Sequence, residues 1–220
     1  SVFPPLELAY LAGFLRKYAQ VEIMDVNALN KNFDDIEEKI RSFKPQAIVF
    51  TASPTTFTAD AKVAAIAKKA SKDIKTILLD SHIVPVMPEK IKQNFPDIDH
   101  LIGKEPLMNI PKLLGLPGVF NIEDHPLPAY DLLPIEKYSS LSFSIKKPFA
   151  TLTTSVGCPN QCNFCIVGGA TFERGYGKKW RFKSCQKIFK EVKHLLVLGV
   201  KSIYFFDETF TVSRQRVKDL

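Results

Sequence analysis

Short, mostly apolar runs rich in β-branched residues recur roughly every 25 residues in the first half of the chain: Val21–Asp25, Ala47–Thr51, Thr76–Asp80 and His100–Gly103. Their apolar residues fall on successive rather than alternate positions. A strand of that kind must be covered on both faces, as in a parallel sheet rather than an antiparallel one open to water. The segments between them have helical spacing. Phe33, Ile36, Ile40 and Phe43 follow Asn32, a residue type that caps helix N-termini. Ala61, Ala64, Ala65 and Ile66 give a small-residue face on which a helix can approach a sheet closely. The expected fold is therefore α/β, a doubly wound parallel sheet over residues 1–105. The chain passes from Pro4-Pro5 directly into a helix over about Leu6–Tyr18, so a strand ahead of that helix is expected to be missing.

With 45% hydrophobic, 24% charged and 11% aromatic residues, the 220-residue chain has the composition of a globular protein. This excludes a disordered chain, a collagen-like repeat and a disulfide-dense mini-protein. No apolar run approaches the roughly 18–20 residues of a membrane span, and no basic-then-apolar leader opens the sequence, so a cytoplasmic location is expected. The formal charge of +7 comes from 30 basic and 23 acidic residues. Residues 171–220 hold 12 Lys/Arg against 5 Asp/Glu, and the rest of the chain is balanced at 18 each. That basic end has two readings: a solvated face on charged helices, or a surface for phosphates and nucleic acid.

Residues 106–148 hold seven of the fifteen prolines and read as a short helix followed by a Pro-rich linker. A second unit, residues 149–220, opens with a strand over about Phe149–Val156 and a cysteine-rich loop. An amphipathic helix over about Ser184–Leu198 follows, with Val192, Leu195 and Leu196 facing a core and Gly199 closing it. The strand Ser202–Phe206 completes a strand–loop–helix–strand unit.

Three of the four cysteines lie in Cys158-Pro-Asn-Gln-Cys162-Asn-Phe-Cys165. Without an export signal, such clustering points to metal ligation rather than disulfides. Closed zinc sites take four ligands, yet no further Cys or His follows nearby. The nearest candidate, Cys185, starts a helix twenty residues on and is expected to pack there. Three thiolates leave one metal position open.

This Cys-x3-Cys-x2-Cys loop, placed after a strand, resembles the cluster motif of radical S-adenosylmethionine (SAM) enzymes. The resemblance implies that Cys158, Cys162 and Cys165 ligate three irons of a 4Fe–4S cluster. SAM chelates the fourth iron and is cleaved reductively to a 5′-deoxyadenosyl radical. Phe164 is placed beside the adenine, and Arg181 is placed to touch SAM or order the loop. Asp207 and Glu208, in Phe206-Asp-Glu-Thr-Phe210, stand where the family often carries Gly-Gly-Glu, and one of them is expected to take the SAM ammonium. The stretch would open a (β/α) barrel with its site at the C-terminal ends of the strands.

The sheet domain before it resembles the cobalamin-binding domain of the cobalamin-dependent branch. Leu8-Ala-Tyr-Leu-Ala12 is similar to that family's first helix. Thr51 and Ser53 lie at a strand end, where open α/β sheets bind ligands. Asp80-Ser81-His82 stands in place of Gly-Gly-Pro-His, and Gly103-Lys-Glu105 is similar to a later Gly-Glu. Thr51, Ser53, Ser81 and His82 are therefore the cobalamin candidates. The two side chains replacing Gly-Gly, and the lack of an Asp-x-His-x-x-Gly motif, leave open a domain that kept the fold without the cofactor.

The implied function is a radical SAM enzyme, with methyl transfer through cobalamin as the leading activity. The partners implied are a small-molecule substrate and a reductant such as flavodoxin or ferredoxin. Alternatives are a radical SAM cyclase or methylthiotransferase without cobalamin and, in another class, a zinc-stabilised RNA-binding module. Because a full barrel needs about 200 residues or more, a fragment inactive by itself is expected.

Overall fold

The computed structural model describes residues 3–139, 145–160, 162, 163, 165 and 180–220. Its first helix, α1 (Leu6–Leu15), has no polar face: Leu6, Ala9, Tyr10, Leu11, Ala12, Gly13 and Phe14 are all buried. A helix of that kind has to be surrounded. One wall is backbone, since a Cβ on Gly13 would lie 2.2 Å from the Leu127 carbonyl oxygen. Close by, the Ala129 N–H donates to the Ala9 carbonyl at 2.8 Å. After α2 (Val26–Leu29), α3 (Phe33–Phe43) begins at Asn32 as expected. The Asn32 side chain accepts from the N–H groups of Asp34 and Asp35, and the Asp35 carboxylate accepts from the Asn32 N–H in return.

β1 (Ala47–Thr51), β2 (Lys75–Leu79) and β3 (His100–Ile102) form a parallel sheet in the order β1–β2–β3. Ile77 and Leu79 pack into one core, while Leu78 between them packs into another with Phe50, Ala61, Ala64 and Ile91. That alternation is the signature of a sheet covered on both faces, as the uninterrupted apolar runs predict. Val21–Asp25, expected as a strand, has no strand assignment, because no ladder partner lies beside it among the described residues. α4 (Phe57–Asp60) and α5 (Lys62–Ala70) follow β1, and α6 (Pro88–Asn94) follows β2. The close face before and along α5 is Ala61, Ala64 and Ala67; Ala65, also expected there, is exposed.

The Pro-rich stretch begins with α7 (Pro106–Leu113) and continues, among the described residues, through three short 3-10 turns. Two of its tyrosines, Tyr130 and Tyr138, are fully buried. The Tyr130 hydroxyl donates to the Thr151 carbonyl at 2.5 Å and accepts from the Thr151 N–H at 3.0 Å. The Tyr138 hydroxyl donates to Asp25 at 3.0 Å. One hydrophobic core runs from α1 through Ile77, Leu79 and Ile102 to Tyr130, Tyr138, Phe149, Leu195 and Val200.

The expected strand Phe149–Val156 is two strands with different partners. β4 (Phe149–Leu152) pairs in parallel with β7 (Ser202–Phe205), and β5 (Ser155–Val156) pairs antiparallel with β6 (Arg181–Phe182). Between β6 and β7 lies α8 (Cys185–Val197), capped by the Ser184 hydroxyl, which accepts from the Lys187 N–H. It closes at Gly199, whose φ of +81° suits the left-handed conformation a glycine adopts freely. The buried stripe of α8 is Ile188, Glu191 and Leu195, whereas Leu196, expected inside, is 59% exposed. Successive helical residues are turned by about 100°, so Leu195 and Leu196 cannot share a narrow buried stripe. α9 (Arg214–Asp219) ends the described chain.

Candidate active site

The site is built where β4 and β7 end side by side. Beyond Leu152 the chain turns, and the Asp207 carboxylate holds the turn from the neighbouring strand. Asp207 accepts from the Thr154 N–H at 3.0 Å, the Thr154 hydroxyl at 2.8 Å and the Ser155 hydroxyl at 2.6 Å, and also from the Ser155 N–H. Gly157 follows with φ +83°, and then Cys158, which is buried. The Cys158 sulfur lies 3.1 Å from the Thr209 hydroxyl, and the Asn160 side-chain amide points to it at 3.5 Å. Further along, the Cys165 N–H donates to the Cys162 carbonyl at 3.0 Å. Cys162 is exposed and Cys165 half-buried, and none of the cysteines is in a disulfide.

The donor set fits an iron–sulfur cluster: non-disulfide thiols on one short loop, with hydrogen-bond donors placed against the sulfur of Cys158. Among the described residues, no three His, Cys, Asp or Glu side chains already converge on one metal position. Phe164 lies outside the described residues.

The adjacent acids have different surroundings. Asp207 is occupied by the Thr154–Ser155 turn. Burial pushes the Glu208 carboxyl above its ordinary range, the Asp207 charge adds to this, and the Gly157 N–H pulls it back. Glu208 therefore stands against the first residues of the cysteine loop. Arg181, assigned from sequence to SAM or to loop ordering, forms an ion pair with Glu105 and donates to the Phe120 carbonyl at 2.7 Å. Its guanidinium stacks 4.5 Å from the Phe120 ring centroid. It thus ties β6 to the segment just after β3.

At the C-terminal edge of the first sheet, the Ser53 hydroxyl meets those of Thr55 and Thr56 at 3.0 and 2.8 Å, and Thr56 donates to Asp60 at 2.6 Å. Thr51 is exposed at the end of β1. After β2, Asp80 accepts from the N–H groups of His82, Ile83 and Val84. The turn that replaces two glycines is thereby held by a buried carboxylate. His82 is half exposed, with Nδ1 3.7 Å from Asp80 and 3.5 Å from the Ser81 hydroxyl. Glu105 lies just beyond β3 at this same edge, so the Glu105–Arg181 pair joins the sheet edge to β6, on the far side of the cysteine loop.

Sequence reasoning missed a buried network beneath the site. The Lys183 ammonium donates to Glu191 at 2.7 Å and to the Tyr10 hydroxyl at 2.6 Å, and that hydroxyl donates to Glu191 at 2.8 Å. The Lys183 and Glu191 side chains are fully buried. Burial pushes the Lys183 ammonium below its ordinary range, with Glu191 opposing, and pushes the Tyr10 hydroxyl well above. His125, beside Tyr10, is pushed down to about 3 by burial and the positive charge of Lys183, Arg181 and Lys187. The sequence did hold a signal, since Glu191 stands at helical spacing between Ile188 and Leu195, where an apolar residue is expected.

The model of the B12-binding domain family matches residues 1–106. An uncharacterized methyltransferase of Pyrococcus horikoshii is 31% identical over 99% of this chain and 51% of its own length. An anaerobic magnesium-protoporphyrin IX monomethyl ester cyclase of Rubrivivax gelatinosus is 25% identical over 97% of this chain and 43% of its own. Among solved structures, the radical SAM methyltransferase TsrM of Kitasatospora setae superposes with a TM-score of 0.71, covering 99% of this chain and 47% of that one. At 13% identity, that likeness shows the fold. The similarity thus takes in a B12-binding domain over residues 1–106 and, over nearly the whole chain, a methyltransferase relative. The chain spans about half the length of the curated methyltransferase relative. Among its described residues, no helix is long and apolar enough to cross a membrane.

Proposed function

We propose that this chain is a radical SAM protein with a B12-binding domain, binds a 4Fe–4S cluster through Cys158, Cys162 and Cys165, uses SAM, and holds cobalamin at the C-terminal edge of its first sheet for methyl transfer to a small molecule. One observation carries the reading: the cysteine loop leaves the ends of a parallel strand pair, and an ion pair ties that region to the sheet edge of the B12-binding domain. When bound, the reduced cluster supplies the electron that cleaves SAM, and cobalamin carries a methyl group. The chain's own part is to hold Cys158 through Thr209 and Asn160, and to offer Glu208 as the acceptor for the SAM ammonium. Asp207 positions the turn, and Phe164 keeps the adenine assignment. Thr51, Ser53, Ser81 and His82 are the side chains that meet the corrin. Arg181 aligns the two regions through Glu105.

TsrM with cobalamin and a [4Fe-4S] cluster bound has the same fold, at a TM-score of 0.69. Ring closure is the second reading, supported by the cyclase relative; methyl transfer is preferred because the more similar relative is named a methyltransferase. The zinc-stabilised RNA-binding reading is not favoured by the B12-binding match. The exposed Lys190, Lys193 and Lys201 suit an acidic electron carrier such as flavodoxin, and a cytoplasmic setting suits free thiols.

Anaerobic reconstitution with iron and sulfide tests this. The expected result is a brown protein whose reduced-cluster EPR spectrum changes on adding SAM, with the cluster lost in Cys162→Ala. A cobalamin titration should saturate at one per chain. Stoichiometric zinc with no iron–sulfur spectrum would overturn the cluster assignment, and failure to bind cobalamin would overturn the role of the sheet edge.

A further inference from the structure

Arg216, on α9, has no part in the assignments above, yet the residue is only 7% exposed. Its guanidinium carbon lies 5.8 Å from the Trp180 ring centroid and 5.7 Å from those of Phe182 and Phe210. Burying a cation in such a setting is costly unless it is hydrogen-bonded, and burial does lower the affinity of Arg216 for its proton, with Asp207 offsetting the effect. Two arms of the guanidinium are engaged. Nη2 donates to the Thr154 hydroxyl, and Nη1 donates to the Phe210 carbonyl at 3.3 Å. A threonine hydroxyl has one proton, and that of Thr154 goes to Asp207 at 2.8 Å. The direction of the chain Arg216–Thr154–Asp207 is therefore fixed.

Both arms end close to Cys158 along the chain. Thr154 opens the turn that Asp207 clamps and that runs through Ser155 and Gly157 into Cys158. Phe210 directly follows Thr209, whose hydroxyl meets the Cys158 sulfur at 3.1 Å. The same guanidinium thus holds the segment that leads into Cys158 and the segment that carries its hydrogen-bond partner Thr209.

We infer that Arg216 is a positioning residue for Cys158: it acts from outside the cysteine loop, through Thr154 and Asp207 on one side and Phe210 and Thr209 on the other, to fix where that thiolate is presented. The inference rests on Cys158 being a cluster ligand, but its primary test does not need the cluster.

The test is alkylation of the apo chain by iodoacetamide, followed cysteine by cysteine by mass spectrometry. In the unaltered chain, buried Cys158 is expected to react more slowly than exposed Cys162. In Arg216→Met, Cys158 should react roughly tenfold faster, as expected when a charge-assisted hydrogen bond that resists local opening is lost. Arg216→Lys, which keeps the charge and one arm, should fall between. Global stability from urea unfolding of the same variants serves as the control, because Cys185 lies close enough to Arg216 to feel its charge. Thr154→Val, which removes one arm only, should raise the Cys158 rate in the same direction and supplies the answer if Arg216→Met does not fold.

An unchanged Cys158 rate in a folded variant would overturn the inference, and so would a rise no larger than the loss of global stability accounts for, which would mean that Arg216 only stabilises the fold. The second measurement, after reconstitution, is the EPR spectrum of the reduced cluster, expected to change in Arg216→Met and not in Arg214→Met. An identical spectrum in Arg216→Met would count against the inference. If the unaltered chain takes up no iron, the cluster reading fails by itself, and the alkylation rates still decide the role of Arg216 in holding Cys158.

Discussion

The buried Lys183–Glu191–Tyr10 network makes a quantitative prediction. Glu191 accepts from Lys183 at 2.7 Å and from Tyr10 at 2.8 Å, with the Lys183 and Glu191 side chains fully buried. Replacing Glu191 by Leu leaves the Lys183 ammonium in a closed apolar site with only the Tyr10 hydroxyl as acceptor. Removing one partner of a buried pair costs about 3–5 kcal/mol. For a chain of this length, 1 kcal/mol corresponds to roughly 2–4 °C in Tm, so a drop of roughly 6–20 °C is expected. Lys183→Met should destabilise for the mirror reason, since it leaves a buried carboxylate with the Tyr10 hydroxyl and, at 3.9 Å, Lys187. The double variant Lys183→Met/Glu191→Leu should recover most of the loss, because the desolvation cost of both charges disappears together. Urea unfolding of the four chains, kept anaerobic and reduced, gives the coupling energy. Single variants within about 1 kcal/mol of the parent, or an additive double variant, would refute the argument.

Other expectations follow from single contacts. Glu105→Gln removes the ionic partner of Arg181 between the sheet edge and β6; cobalamin bound to the variant should retain its affinity to within a few-fold, whereas hydrogen exchange at residues 181–182 should quicken. Gly13→Ala should destabilise by about 1–3 kcal/mol despite the better helix propensity of alanine, since its Cβ would meet the Leu127 carbonyl oxygen at 2.2 Å; thermal unfolding measures this. The Ser184 hydroxyl and N–H hold the Glu123 carboxyl below its ordinary 4.5. Folding therefore favours the ionised form, and the stabilisation is complete above about pH 4.5 and lost as pH falls through the lower folded value. Glu123→Gln should flatten that acid limb of a stability-versus-pH profile. Asp207→Asn keeps the shape but weakens the clamp on Thr154 and Ser155, and should lower iron retention on challenge with a chelator.

Much of the fold was legible in local chemistry. Asn32 marked the start of α3, Gly199 the end of α8, and Ala47–Thr51 matched β1 residue for residue. The misreadings share a cause. Val21–Asp25 has strand composition, but a strand exists only through a neighbour to pair with, and composition cannot supply one. Phe149–Val156 has a continuous strand pattern, yet it divides where Asp207, more than fifty residues away, takes the N–H groups of Thr154 and Ser155.

The cysteine spacing, the acidic pair after β7 and the short apolar strands are properties of the chain in sequence order, and by themselves they determined the fold class and the chemistry to look for. The tertiary structure alone decided which polar groups are already engaged. It assigned Asp207 to a turn and left Glu208 beside the cysteine loop, tied Arg181 to Glu105, and buried the charges of Lys183, Glu191 and Arg216 among partners from other elements. The physical reason is that a charge is held by its nearest partners in space, and for each of these groups at least one decisive partner lies far away along the chain.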